Sequence, residues 1–259
     1  MIFNIKKVVN VIVGFGVLLL IWQLAVTFGG YNKALFPSPL DVINAFKELV
    51  LEGTLWIHIK DSMIRFGIGY SISILAGVTL GLLLGWFKNL WGFINPVVQL
   101  LRPISPMAWL PFIVLWVGIG DVPAIVIIFI AGFFPILLST VAAVGQVDAT
   151  YLKVANNFGM KQPHILTKII FPAILPNVMT GIHLALGTAW VFLVAGEMVG
   201  AQSGLGYLII DARNNMRVDT LMTAIIMIGL IGLLLDTLIR FFEKIIFKRW
   251  LVNSDKGGM

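Results

Sequence analysis

The sequence has no cysteine, which removes disulfide frameworks, thiolate metal sites and cysteine nucleophiles at once. Histidine is nearly as scarce: His58, His164 and His183 are the three. They lie far apart, and no His-Glu-x-x-His segment occurs, so no metal-ligand spacing is present. Charge is also sparse. Only 12% of the 259 residues are Asp, Glu, Lys or Arg, against about 25% in ordinary soluble domains. So few charges do not coat a soluble 28.5 kDa chain. A nucleotide-binding P-loop is missing too, because the glycines of Gly-Ala-Gln-Ser-Gly-Leu-Gly at 200–206 are not followed by Lys-Ser or Lys-Thr. What the chain has instead is apolar residues, 59% of the total, with a mean hydropathy of +0.99. Such a content excludes disorder and points to an integral membrane protein.

A crossing helix needs roughly 20 predominantly apolar residues. Six such spans are expected, at roughly 8–28, 65–87, 94–118, 122–145, 170–199 and 220–243, making one all-α domain over residues 1–259. The formal net charge of +6 needs no nucleic acid to explain it. With the N-terminus inside, eleven basic residues fall on cytoplasmic segments and six on outer ones, the bias expected of a multi-pass inner-membrane protein with both termini cytoplasmic. The first apolar run exceeds a signal-peptide core and has no small-residue cleavage site, so it reads as an uncleaved anchor. In the first outer loop, Ser38 is placed to cap a helix with Pro39 and Asp41 in its first turn. Leu40, Ile43, Phe46, Leu49 and Val50 would then share one face along the membrane surface.

Inside the spans, Gly69, Ser73, Gly77, Gly81 and Gly85 repeat every four residues, a stripe for close helix packing. Pro103, Pro106 and Pro111 interrupt the third span, and a broken span is tolerated where it lines a cavity or is buried in protein. Arg102, Ser105 and Trp109 at that break are candidate pathway residues, Arg102 being equally placed to snorkel to the headgroups. His183, Trp190 and Glu197 recur every seven residues with Gly187 between, one helix face and a second candidate pathway wall, the alternative being that His183 is a satisfied buried histidine and Glu197 caps the outer mouth. Asp236 and Arg240 are spaced to pair. Asp211, Arg213, Arg217 and Asp219 cluster in the last outer loop. They are either a solvated face or a docking surface for an extracytoplasmic partner.

The most specific pattern lies in the cytoplasmic segment 146–169. Asp148 is placed to cap a short helix with Leu152, Ala155 and Phe158 on one side, and Gly159 permits a turn before a second helical piece. A short amphipathic helix projecting from a bundle fits a groove in a soluble partner or lies at the membrane interface. Lys153-Val154-Ala155, three residues, Gly159, nine residues, Ile169-x-Phe171-Pro172 resembles the EAA loop of ATP-binding cassette importer permeases, Glu-Ala-Ala, three residues, Gly, nine residues, Ile-x-Leu-Pro. Ala155, Gly159, Ile169 and Pro172 match directly. Lys153 stands where the family most often has Glu, so the docking role of the loop carries over and a carboxylate contact does not. Phe36-Pro37-Ser38-Pro39, the run Arg102 to Pro111 and the stretch from Phe171 through Gly206 resemble the nitrate, sulfonate, taurine and bicarbonate branch.

That resemblance implies a type I importer fold with a cytoplasmic coupling helix. It also implies two permease copies, separate ATPase subunits that hold ATP and Mg, and an extracytoplasmic substrate-binding protein, with no cofactor or metal in this chain. The substrate would be a small anion. The rivals are an ion-coupled secondary transporter, disfavoured because Glu197 is nearly alone as a buried carboxylate, and an importer of another small nutrient such as a pyrimidine or vitamin precursor. An intramembrane enzyme lacks a metal or nucleophile constellation.

Overall fold

The structure, a computed structural model, describes residues 5–30 and 35–255. Lys33 and Lys256, counted in the charge balance above, lie outside the described residues. Helix α1 spans Ile5–Phe28, α2 Pro39–Leu51, α3 Thr54–Trp86 and α4 Lys88–Leu101. A 3-10 turn, Pro106–Trp109, leads into α5, Leu110–Val117, followed by α6, Asp121–Gly145. Next come α7, Ala149–Asn157, α8, Gln162–Ile165, and a π turn, Leu166–Ile170, that feeds α9, Phe171–Gly200. Helices α10, Leu205–Asn214, and α11, Val218–Asp255, complete the chain. No strand forms among the described residues.

Four stretches are long and apolar enough to cross a membrane: Thr54–Trp86, Asp121–Gly145, Gln162–Gly200 and Val218–Ile246. The pair Lys88–Leu101 and Pro106–Val117 makes a fifth if taken as one span bent by 84°. Helix α1 is apolar over Val13–Phe28. Helix α3 begins eleven residues earlier than the 65–87 expected, because Arg65 is held in an ion pair inside the bundle and its charge does not end the helix. The span expected from 170 likewise starts at Gln162. A π turn directly before Pro172 widens the helix where the proline ring would clash with the preceding turn, so the helix continues through it.

The centre of the fold is α6, gripped between α3 and α9. The small-residue stripe of α3 meets α6 along its length: Gly69 faces Ile128, Gly77 faces Ile136, Gly81 faces Thr140 and Gly85 faces Val144. Gly132 of α6 returns the fit by facing Ser73. A Cβ on Gly81 would sit 2.6 Å from the Cβ of Thr140, closer than carbon atoms pack. Gly81→Leu is therefore expected to separate α3 from α6, at a cost of about 1–3 kcal/mol or more. Gly67→Leu, where no atom lies within 4 Å, should be tolerated. The yield of monodisperse protein from gel filtration in detergent reads the difference.

Helix α2 carries the expected cap. Ser38 accepts from the Asp41 N–H at 3.3 Å while the Asp41 carboxylate accepts from the Ser38 N–H at 2.9 Å, a reciprocal box that satisfies two orphan donors. Its packing differs from the expectation. Val42, Ala45 and Leu49 are buried, whereas Leu40, Ile43 and Phe46 stay exposed. Thr223 of α11 donates to the Val42 carbonyl at 3.1 Å, so α2 lies on α11 and turns a second apolar face outward.

Candidate functional site

Three loci hold the residues singled out above. The first is the loop carrying α7. Asp148 caps it, its carboxylate accepting from the Thr150 N–H at 2.8 Å. That bond holds the Asp148 carboxyl below its usual range. The cap is thus fully charged at neutral pH, and its contribution is lost only as pH falls through this lowered pKa. The far end closes on Gly159 at φ +67°. The Gly159 N–H donates to the Asn156 carbonyl at 3.0 Å and the Met160 N–H to the Ala155 carbonyl at 3.1 Å. This paired closure is the Schellman motif, and it needs a left-handed residue at this position.

Between its caps α7 has two apolar faces. Ala155 is buried with Ala143 and Val144 of α6 and with Ile165, Ile170 and Ile174 further on, and Leu152, Met160 and Ile169 pack at the edge of that cluster. The expected grouping of Phe158 with Leu152 and Ala155 does not hold. Phe158 is 82% exposed and shares the outward face with Tyr151 and Val154. Phe158 lies seven residues after Tyr151 and four after Val154, on their face, and six after Leu152, about a third of a turn away from it. Lys153 is exposed and Pro172 half-buried.

The second locus, at the opposite end of the bundle, is a buried ion cluster. Glu197 of α9 has no exposed surface, and its Oε1 meets Nη1 of Arg65 from α3 at 2.7 Å. Arg65 reaches Asp121 at 2.6 Å, the Ser203 carbonyl at 2.7 Å and the Ser203 hydroxyl at 2.7 Å. Ser62 donates to the Glu197 carboxylate at 2.8 Å and accepts from the Leu205 N–H at 2.8 Å. The Gly206 N–H donates to Glu197 at 2.9 Å, and the Gly204 N–H to Nδ1 of His58 at 3.1 Å. The glycine-rich loop is thus laced down onto α3 and α9. A side chain on Gly204 would strike Glu197 and Arg65, and one on Gly206 would strike the Val194 carbonyl. Sequence reasoning had Glu197 and missed its partners. The available signal was a glutamate inside an apolar run and an arginine at the edge of another.

The heptad stripe on α9 is mostly turned into the protein. Trp190 is 7% exposed, donates to the Ile228 carbonyl of α11 at 3.1 Å and packs edge-on to Phe66 at 5.3 Å. His183 meets Asp236 at 2.6 Å, and Arg240 donates to the same carboxylate at 2.9 Å. Only Gly187 of the stripe opens outward, on the exposed face with Leu184, Thr188 and Val191. The polar quartet divides as well. Arg217 forms a fork to Glu48 of α2 at 2.8 and 2.7 Å and meets Asp219 at 3.3 Å. These hydrogen bonds hold the Glu48 carboxyl below and the Arg217 guanidinium above their usual values. Asp211 and Arg213 lie on α10, Arg213 exposed.

The third locus is the break between α4 and α5. Arg102 and Ser105 are exposed there and Trp109 is half-buried. Trp109 and Met107 pack at the edge of the cluster of Leu110, Ile113 and Ile127. None of the ion pairs among the described residues involves Arg102.

Residues 73–252 match the family described as binding-protein-dependent transport system inner membrane component. The putative aliphatic sulfonates transport permease protein SsuC of Bacillus subtilis (strain 168) is 34% identical over 241 residues, covering 93% of this chain and 87% of that one. The nitrate import permease protein NrtB of Synechocystis sp. is 33% identical over 249 residues, covering 93% and 90%. The taurine transport system permease protein TauC of Escherichia coli (strain K12) is 30% identical over 233 residues, covering 88% and 85%. An inward-facing structure of the MetNI methionine transporter superposes with a TM-score of 0.58 at 20% identity, over 73% of this chain and 97% of that one. The matched region takes in α7, α9, α10 and the 84° break, and the chain belongs to the family of binding-protein-dependent transport system inner membrane components.

Proposed function

We propose that this chain is the permease subunit of an ATP-driven importer of a small oxyanion of the nitrate, bicarbonate, sulfonate or taurine type. The observation that carries the reading is α7: a nine-residue helix capped at both ends, seated through Ala155, with Tyr151, Val154 and Phe158 left bare. An apolar knob of this kind fits a groove in a soluble partner, here the ATPase subunits, which hold ATP and Mg and carry out hydrolysis. This chain itself supplies transport and no catalysis. Asp148, Leu152, Lys153, Ala155, Phe158, Gly159, Ile169 and Pro172 form its coupling loop. Two permease copies enclose the pathway, with six spans each counted from α1, the bent pair and the four long stretches. Both termini and α7 lie on the cytoplasmic side. Asp211, Arg213, Arg217 and Asp219 face the substrate-binding protein on the other.

Nucleotide binding that draws the two ATPase subunits together would draw the two α7 helices with them. The permease then switches between inward- and outward-facing states because ATP favours one of the two. The exposed face around Gly187 and the break at Arg102, Ser105 and Trp109 are the candidate pathway walls, and His183, Trp190 and Glu197 hold the α9 wall to its neighbours. Purification of the tagged chain from native membranes is expected to bring an ATPase with it. Uptake in vesicles should continue with the proton gradient collapsed and ATP present. Uptake that follows the proton gradient with no ATPase would overturn the reading in favour of an ion-coupled transporter. That second reading draws on His183, which sits between Asp236 at 2.6 Å and Glu243 at 3.8 Å. Stimulation of the complex by a heterocyclic nutrient, and by no small anion, would overturn the substrate class alone.

A further inference from the structure

Helix α4 has three faces. Val98 is buried with Leu84, Leu137 and Val141. Phe93 and Leu100, 82% and 70% exposed, look away from the bundle on the apolar side. The remaining face carries Lys88, Asn95, Gln99 and Arg102, whose spacings of seven, four and three keep them in one line. Gln99 donates to the Asn95 side chain at 3.3 Å along that line. Ser105, exposed in the break, extends it.

The depth of this track follows from what flanks it. Val98 belongs to a cluster with Leu137 and Val141, and Leu110 to one with Ile127. The turn holding Arg102 and Ser105 is therefore level with the stretch of α6 between Ile127 and Leu137, near the middle of a 25-residue helix about 37 Å long. An ionised side chain at that depth is costly against lipid and is found facing water-filled cavities or a partner charge. Arg102 has no carboxylate partner among the described ion pairs, which leaves a water-filled cavity or snorkelling to the headgroups, and its level near the middle of α6 favours the cavity. Its guanidinium offers a fork of donors suited to planar or trigonal oxyanions, and a polar line leads from it to Lys88 at the α7 end.

We propose that Arg102, at the head of the Asn95–Gln99 track, is an anion-binding and charge-selecting site within the permease, taking the oxyanion head group of a small singly charged substrate. The proposal rests on the importer reading for the substrate and for the direction of flow. The site selects charge by the fixed positive field of Arg102 at that depth, where attraction is stronger than at a water-exposed surface.

The absence of cysteine makes the test direct, because Gln99→Cys introduces the chain's one thiol. In native membrane vesicles, the Q99C chain is treated with 2-sulfonatoethyl methanethiosulfonate, an anionic sulfonate, or its trimethylammonium-ethyl counterpart, and the modification is read by mass spectrometry of this chain. The anionic reagent is expected to be favoured, and adding Arg102→Gln should lower the anion-to-cation rate ratio by about tenfold, while Arg102→Lys largely keeps it. Should R102Q fail to accumulate, the ratio on the Arg102 background must fall when salt is raised. A thiol inert to both reagents would mean that the line faces lipid tails or packed protein, and would overturn the site. A ratio unmoved by R102Q, or by salt where R102Q does not accumulate, would overturn it as well. Neither rate is read through ATP hydrolysis or uptake, so failure here leaves the importer reading intact, and failed uptake leaves this result standing.

Discussion

Arg65→Leu is expected to lower the stability of the permease by about 3–5 kcal/mol, the range for removing one partner of a buried ion pair. At about 2–4 °C per kcal/mol for a chain of this size, the unfolding midpoint in detergent should fall by roughly 10 °C. The reason is local. Among the described residues Arg65 is the only cation bonded to Glu197, at 2.7 Å, and Glu197 has no exposed surface. Without the guanidinium, the carboxylate keeps only the Ser62 hydroxyl and the Gly206 N–H, neutral donors that do not offset a buried charge. The Ser203 carbonyl and hydroxyl also lose their donor, so the glycine-rich loop loses its main tie to α3.

The reverse substitution should be milder. In Glu197→Gln, Arg65 retains Asp121 at 2.6 Å and both Ser203 contacts, and the amide oxygen of Gln still accepts from Arg65, while the amide NH2 takes the place of the oxygen that accepts from the Gly206 N–H. A loss of about 2 kcal/mol follows, the size of one buried donor left without an acceptor. The asymmetry between the two variants is the measurement that matters. An R65L midpoint within about 2 °C of the parent protein, or an E197Q protein less stable than R65L, would show that the pair does not hold the loop.

This cluster also marks where reading the sequence reached its limit. Glu197 stood out because a carboxylate inside an apolar span is rare. Arg65 did not, because it sits where an uncharged run begins and so passed for a flanking charge. Treating charge as a span boundary shortened α3 by eleven residues, when a paired charge costs a helix little and Arg65 is paired. Features set by local chemistry were legible: the Ser38 box, the Asp148 cap, the proline break and the four-residue stripe of α3. So was the Asp236–Arg240 pair, one turn apart. Features set by which helix lies beside which were not. The stripe of His183, Trp190 and Glu197 was read correctly as one face, but nothing in its period tells a cavity wall from a seam, and α11 and α3 cover most of it. Phe158 was assigned to the wrong side of α7 because it was counted three residues from Ala155, when its seven- and four-residue spacings from Tyr151 and Val154 put it on the other face.

Gly159→Val is expected to uncouple ATP hydrolysis from transport. At φ +67° a β-branched residue is strained, by roughly 1–2 kcal/mol before any clash, and the least costly relief is to abandon the left-handed turn. Doing so gives up the paired bonds from Gly159 to Asn156 and from Met160 to Ala155, which fix the angle between α7 and the chain leading into α9. Nothing lies within 4 Å of a Cβ at this position, so the effect is one of backbone conformation and not of crowding. Gly159→Asn, a residue that tolerates the left-handed region, should therefore stay close to the parent protein, whereas Gly159→Ala should fall between the two. In the reconstituted complex, uptake by G159V should drop at least about tenfold, a shift of about 1.4 kcal/mol in coupling, while ATP hydrolysis persists. Because Ala155 remains buried against α6 and α9, α7 should still be present and the ATPase should still co-purify. Three results separate the possibilities: full uptake in G159V would deny the loop its coupling role, loss of the ATPase from the purified complex would make it a tether alone, and equal defects in G159N and G159V would mean that the left-handed turn is not what matters.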